Sequence, residues 1–131
     1  MPFKNSLVVS MSLGSENRIL RTSLVYVDSI HNIIVIKEGF ETNFASIPKI
    51  IPRWWLDQDG PLIREPSVLH DWVYSNDCLL TITRLQADQL FYRAMLEFCV
   101  RGKWYIRYAR KAKAYSAYKS VRIFGRSHWK K

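Results

Sequence analysis

No acidic residue follows Glu97. Residues 98–131 carry eleven Lys/Arg and no Asp or Glu, whereas residues 1–97 carry nine Lys/Arg and all eleven Asp/Glu. The net charge of +9 is therefore gathered at one end of the chain. Uncompensated cations attract phosphate backbones, anionic lipid or an acidic protein face, and they also make a well-solvated helix surface. Both readings stay open at this point. Cysteine is scarce too: Cys78 and Cys99 are the only two, and they have neither disulfide-framework nor zinc spacing. Reduced, partly buried thiols are expected. No apolar run is long enough for a transmembrane helix, and Asn5, Ser6, Ser10 and Ser12 break up the N-terminal segment, so no signal peptide is expected either. With 131 residues, 48% of them hydrophobic, one domain can bury a core without a metal or a disulfide.

The β-rich part comes first, over 1–40. Leu7 to Leu13 alternates loosely, Ile19 to Val27 and Ile33 to Lys37 are β-branched runs, and Asp28 to Asn32 reads as a hairpin connection. Gly39-Phe40 is expected to end it. An ordered loop over 41–61 follows, where Pro48 and Pro52 exclude a regular helix or a central strand. Trp54, Trp55 and Leu56 within it either cap the core or form a docking surface. The part 62–125 is helical, with a basic tail over 126–131. A first helix is expected from about Pro66 to Ser75. A second starts at the capping box Thr83-x-x-Gln86, with Gly102 as its stop signal, and a third covers Trp104 to Phe124. This order predicts an α+β fold, a small antiparallel sheet or hairpin followed by three helices.

Polar constellations interrupt these apolar patterns. His70 and Tyr74 lie four apart on one helix face, with Asp71 beyond them. Asp88 falls within the apolar face formed by Ala87, Phe91, Ala94, Met95 and Phe98, and Arg84 lies one turn before it. A carboxylate in that setting must be hydrogen-bonded or ion-paired. Thr42, Asn43 and Ser46 stand near Pro48 in the loop. Ser46 has no nucleophile-elbow glycines, so local hydrogen bonding to the loop backbone is the preferred reading for this set.

Three stretches, Thr42-Asn43-Phe44-Ala45-Ser46-Ile47-Pro48, His70-Asp71-Trp72-Val73-Tyr74 and Arg84-Leu85-Gln86-Ala87-Asp88, resemble a family of uncharacterised domains carried mostly by tailed phages and prophages. That family shows T-D-[FL]-A-S-[IV]-P, H-D-x-x-Y and R-x-x-A-D. The resemblance runs from about Leu24 to Gly125, and Asn43 stands where the family usually has Asp. It implies a phage origin, with synthesis in a bacterial cytoplasm followed by residence in the virion. His70-Asp71-x-x-Tyr74 is also similar to the core of the secreted phospholipases. That likeness implies His70 as general base, Asp71 as a calcium ligand, and Asp88 as the carboxylate orienting His70 with help from Tyr74. The Gly-rich calcium loop and the bracing disulfides of those enzymes have no counterpart here.

Three function classes follow. The preferred one is a non-enzymatic phage structural protein docking in the tail or neck on other phage proteins with an acidic face. It would bind through Arg107, Arg110, Lys111, Lys113, Tyr115 and Arg122, without a cofactor. In that case His70, Tyr74, Asp88 and Arg84 form a buried network that fixes helix register. The second is an envelope hydrolase acting on a phospholipid ester or a cell-wall amide, with Ca2+ or Zn2+ as cofactor. A zinc site would lack a third ligand at suitable spacing, because His31 and His128 are remote. The third is an accessory protein that binds DNA through the basic, aromatic third helix.

Overall fold

A computed structural model describes residues 3–4, 9–11, 18–28, 30, 32–42, 52, 54–55, 62–76, 78, 80–100 and 102–129. The loop motif from Asn43 through Ser46 to Pro48 therefore lies outside the described residues, as do Leu56 and His31. The fold is α+β, with short antiparallel strands followed by three helices. The chain divides into two compact units, 1–44 and 45–131.

Among the described residues, the first unit holds five strands: β1 (Val9–Met11), β2 (Arg18–Leu20), β3 (Leu24–Asp28), β4 (Asn32–Ile36) and β5 (Glu41–Thr42). β3 and β4 form the expected hairpin, with Val25 opposite Val35 and Val27 opposite Ile33. Side chains alternate across it, as strand geometry requires. Leu24, Tyr26, Ile34 and Ile36 are buried, while Val27, Ile33 and Val35 are exposed. Lys4 N donates to Val25 O at 2.9 Å, and Phe3 packs on Tyr26 at 4.7 Å.

Two strand expectations need correction. The run Ile19 to Val27 is not one strand: a bend over Arg21-Thr22 divides it, and β2 and β3 join different sheets. Leu20 and Leu24 are both buried, so face alternation alone could not reveal the break. Nor does the β region end at Gly39-Phe40. Gly39, with φ of 89°, turns the chain back so that its N–H reaches Leu20 O at 2.8 Å. β5 then pairs with β2, and Thr42 is buried there.

The second unit holds α1 (Arg64–Tyr74), α2 (Arg84–Leu96), α3 (Trp104–Phe124) and a 3₁₀ turn over Gly125–His128. α1 starts two residues earlier than expected. Pro66 is its third residue, where a missing N–H costs nothing because no intrahelical partner exists. Every residue of α1 except Arg64 and Asp71 is buried. α2 begins at the predicted capping box, with Gln86 N donating to Thr83 Oγ1 at 3.1 Å and Thr83 N to Gln86 Oε1 at 2.9 Å. It does not run to Gly102. It stops at Leu96, and the following bonds tighten, with Phe98 N to Met95 O and Cys99 N to Leu96 O both at 3.0 Å. Gly102, with φ of 98°, instead turns the chain into α3.

α2 packs on both other helices. Ile63, Phe91, Met95, Cys99, Ala114, Ala117 and Val121 form the core between them, bordered by Trp55, Leu62, Tyr92 and Leu96. The small Ala114 and Ala117 let α3 approach α2 closely. Both cysteines are buried free thiols, and burial pushes the Cys99 thiol up despite nearby Arg110 and Lys111. No described helix is long and apolar enough to cross a membrane.

Candidate functional site

Asp88 is the meeting point of all three helices. α1 places His70 and Tyr74 one turn apart, α2 places Arg84 and Asp88 one turn apart, and the last turn of α3 brings in Arg122. His70 Nε2 lies 2.8 Å from Asp88 Oδ1, which also accepts a hydrogen bond from the Tyr74 hydroxyl. Arg122 donates to Oδ2 at 2.7 Å, and the Arg84 guanidinium stands 3.7 Å from the same oxygen. His70 and Asp88 are fully buried.

Electrostatics fix the protons. Burial pushes the Asp88 carboxyl up, but hydrogen bonds from His70, Tyr74 and Arg122 outweigh it. The net result is a carboxyl held below its usual range. Burial also pushes the Tyr74 hydroxyl up, well above the ordinary tyrosine range, and the adjacent Asp88 carboxylate adds to this. Asp88 is thus an ionised acceptor and Tyr74 a protonated donor. A carboxylate only accepts, so the proton between His70 and Asp88 resides on Nε2.

The surroundings close over this cluster. The His70 ring lies 4.1 Å from the Tyr74 ring and 4.7 Å from the Phe91 ring, centroid to centroid. Trp129 meets Tyr74 edge-on at 5.0 Å. At Gly125 an added Cβ would stand 3.0 Å from the Tyr74 hydroxyl and 3.4 Å from Arg84. Arg84 also forks onto the Val121 and Arg122 carbonyls, each at 3.1 Å. Those carbonyls belong to the last turn of α3, where helix geometry leaves acceptors without partners and favours positive charge.

The structure therefore brings together four residues singled out from the sequence: His70, Tyr74, Arg84 and Asp88. Asp71 is half-buried on the neighbouring face of α1. Among the described residues, no group of three or more His, Cys, Asp or Glu stands close enough to hold a metal ion. Sequence reasoning missed Gly125 and Trp129, and it assigned Arg122 to a docking surface although it pairs with Asp88. It also passed over Ser67, whose hydroxyl is buried one turn before His70 without a hydrogen bond. Arg122 lies 34 residues beyond Asp88, so no local period could connect them.

A second candidate surface runs along the outside of α3. Trp104 and Tyr108 are 74% and 73% exposed, and Tyr115 is half exposed. Arg107, Lys111 and Lys119 are exposed beside them. Arg110 and Lys113 are half-buried, and Lys113 lies over the Trp55 ring at 5.5 Å. Tyr118 leaves this surface to stack on Tyr92 at 5.1 Å.

A family model described as "Protein of unknown function (DUF1353)" matches residues 19–112. The chain belongs to this family. The DUF1353 match contains His70, Tyr74, Arg84 and Asp88 and ends before Arg122, Gly125 and Trp129, which complete the cluster here. Comparison with curated proteins and with solved structures found no match.

Proposed function

We propose that this chain is a non-enzymatic interaction domain, a component of a phage particle that docks by its cationic third helix against an anionic partner in the tail or neck. The observation that carries the reading is the saturation of Asp88. Both of its oxygens are engaged, by His70 and Tyr74 on one side and Arg122 on the other, and the carboxylate is wholly buried. An orienting carboxylate in a hydrolase leaves its histidine facing substrate or water. Here His70 is sealed, and two arginines tie the pair to the end of α3. The cluster is suited to fixing helix register. The outer face of α3 stays available to a partner. The phage assignment rests on the resemblance of the His70-Asp71-x-x-Tyr74 and Arg84-x-x-Ala87-Asp88 stretches to phage-borne domains.

The test is incorporation into particles of the phage that encodes the chain. Reversal of Arg107 and Lys111 to Glu is expected to leave the fold intact and exclude the protein from particles. Lys113 is spared because it packs on Trp55. Wild-type incorporation of that variant would overturn the docking reading. Turnover of phospholipid or cell-wall substrate that vanishes in a folded His70→Ala variant would replace it with hydrolysis.

A further inference from the structure

The outward side of the β3–β4 hairpin departs from what water requires of an open sheet. An antiparallel pair with one solvated face normally carries polar side chains there. Here the outward pairs are Val25 opposite Val35 and Val27 opposite Ile33. Ile33 is 65% exposed, Val35 45% and Val27 36%, with Val25 half-buried beside them. The turn adds Ile30, 64% exposed. These side chains include no charge, no ring and no hydrogen-bonding group. The opposite side is apolar as well, with Leu24, Tyr26, Ile34 and Ile36 buried. Among the described residues, β3 and β4 form a sheet of two strands only. A two-stranded sheet that is apolar on both sides is one layer of a sandwich whose second layer is missing.

Chemistry narrows what that layer is. A lipid surface is met by Trp, Tyr and several cations, and these outward pairs supply none of them. An acidic partner is met by cations, which gather instead in residues 98–131. Residues 1–44 carry four Lys/Arg and four Asp/Glu, so the first unit is neutral and does not repel its like. The face is also its own match. Its cross-strand pairs set four β-branched side chains at the corners of a rectangle, about 7 Å along the strands and about 5 Å across them. Turned onto itself about an axis along the strands, the rectangle lays Val25 on Val35 and Val27 on Ile33. Turned about an axis across the strands, it lays Val25 on Val27 and Val35 on Ile33. Either two-fold brings β-branched onto β-branched, the self-complementarity that an isologous contact requires.

We infer that the outward face of the β3–β4 hairpin binds a second copy of this chain, hairpin on hairpin, with the two sheets about 10 Å apart. The contact is reversible. One hairpin face offers much less than the roughly 800 Å² per partner of a standard interface, so a dissociation constant on the order of 100 µM is expected. Two bodies of net charge +9 repel each other, so the dimer tightens as salt screens them. Docking of α3 on an anionic partner responds to salt in the opposite direction. The inference does not depend on that docking reading, and each has its own readout.

The experiment is sedimentation velocity of the full chain from about 10 µM to about 1 mM, at low and at high salt, a range that brackets the expected constant. A monomer–dimer equilibrium is expected, shifted toward the dimer at high salt. Ile33→Thr combined with Val35→Thr keeps the β-branched shape and puts hydroxyls on the face. That variant should dimerise about tenfold more weakly or worse, with its melting temperature in dilute solution unchanged. Val35→Lys, a second variant in case the first melts early, should do the same by burying an unpaired charge in the contact. Reversal of Arg107 and Lys111 to Glu should keep the dimer. A wild-type chain that stays monomeric throughout the range overturns the inference, as does dimerisation unchanged in both hairpin variants. A dimer that dissolves as salt rises and disappears in the reversal variant places the contact on α3 and overturns it too. A monomeric wild type whose double threonine variant is missing from particles assigns the face to another particle protein, and the second copy falls while α3 docking stands or falls on its own variant.

Discussion

Tyr74 and Tyr108 are the same side chain in opposite circumstances, as are Arg122 and Arg107. The first of each pair donates to Asp88, Tyr74 from a buried position and Arg122 from a half-buried one. The second lies on the open side of α3, in a row backed by uncompensated charge. In the interior, a polar group left without a partner loses solvation that nothing restores, so each loss is large. On the surface, water replaces whatever is removed, so the same substitution barely touches stability and acts only on a partner. Substitutions at the two places should therefore separate stability from binding.

Asp88→Ala should give the largest effect. It leaves His70, Tyr74 and Arg122 without their common acceptor, and about 3 kcal/mol of destabilisation is expected in denaturant or thermal unfolding. An unchanged melting temperature would mean that the cluster contributes nothing to the helical unit. Acid should reproduce part of this loss. The folded Asp88 pKa is depressed, so its contribution is present above the unfolded value near 4 and disappears as pH falls through the lower folded value. The folded Tyr74 pKa is raised, so its contribution is complete below about pH 10 and is lost as pH climbs beyond it. Asp88→Asn should flatten the acid limb and shrink the alkaline limb to the part that burial of Tyr74 alone supplies.

Gly125→Ala comes next. Its methyl would press on the Tyr74 hydroxyl, at an expected cost of about 1–3 kcal/mol. Tyr74→Phe removes the atom it presses on. The two changes together should cost less than their sum, and strict additivity in a double-mutant cycle would show that the two groups do not meet. Ser67→Ala is expected to go the other way, with stability unchanged or raised by up to about 1 kcal/mol, because a buried hydroxyl without a hydrogen bond is removed. The smallest effects belong to the open side of α3. Trp104→Ala and Tyr108→Ala should each shift stability by no more than about 0.5 kcal/mol. A larger shift would reveal that these rings pack against the protein itself and would blur the contrast between the two regions.

Local spacing carried much of this in advance. The i,i+4 pairs His70/Tyr74 and Arg84/Asp88, the Thr83/Gln86 box and the span of α3 are all features of a single helix, and they were readable from order alone. Convergence of the two pairs needed only that their helices be neighbours. Arg122, Gly125 and Trp129 were hidden because their roles arise where the far end of α3 returns to α1 and α2. An arginine bound for a carboxylate looks no different in sequence from one bound for water. The bend between β2 and β3 was invisible for a related reason. It changes which strand each half pairs with, while the residues on either side keep the same inward face. Gly102 was read as the stop signal of the second helix, but α2 tightens and stops before reaching it, and the glycine's positive φ serves the turn into α3 instead.

Arg84 grips the final carbonyls of α3, and Arg122 from that same turn reaches Asp88, so this 21-residue rod is clamped at its C-terminal end. From Trp104 to Ala109 every residue faces solvent. Mechanically, α3 is a cantilever. A load applied at Trp104 acts on the free arm, and the bending moment is resisted first where Ala114 and Ala117 pack on α2 and then at the clamp, where the guanidinium of Arg122 holds the carboxylate. Amide protection should accordingly fall from the clamp toward the free end, and a weight hung on Trp104 would be felt at Asp88.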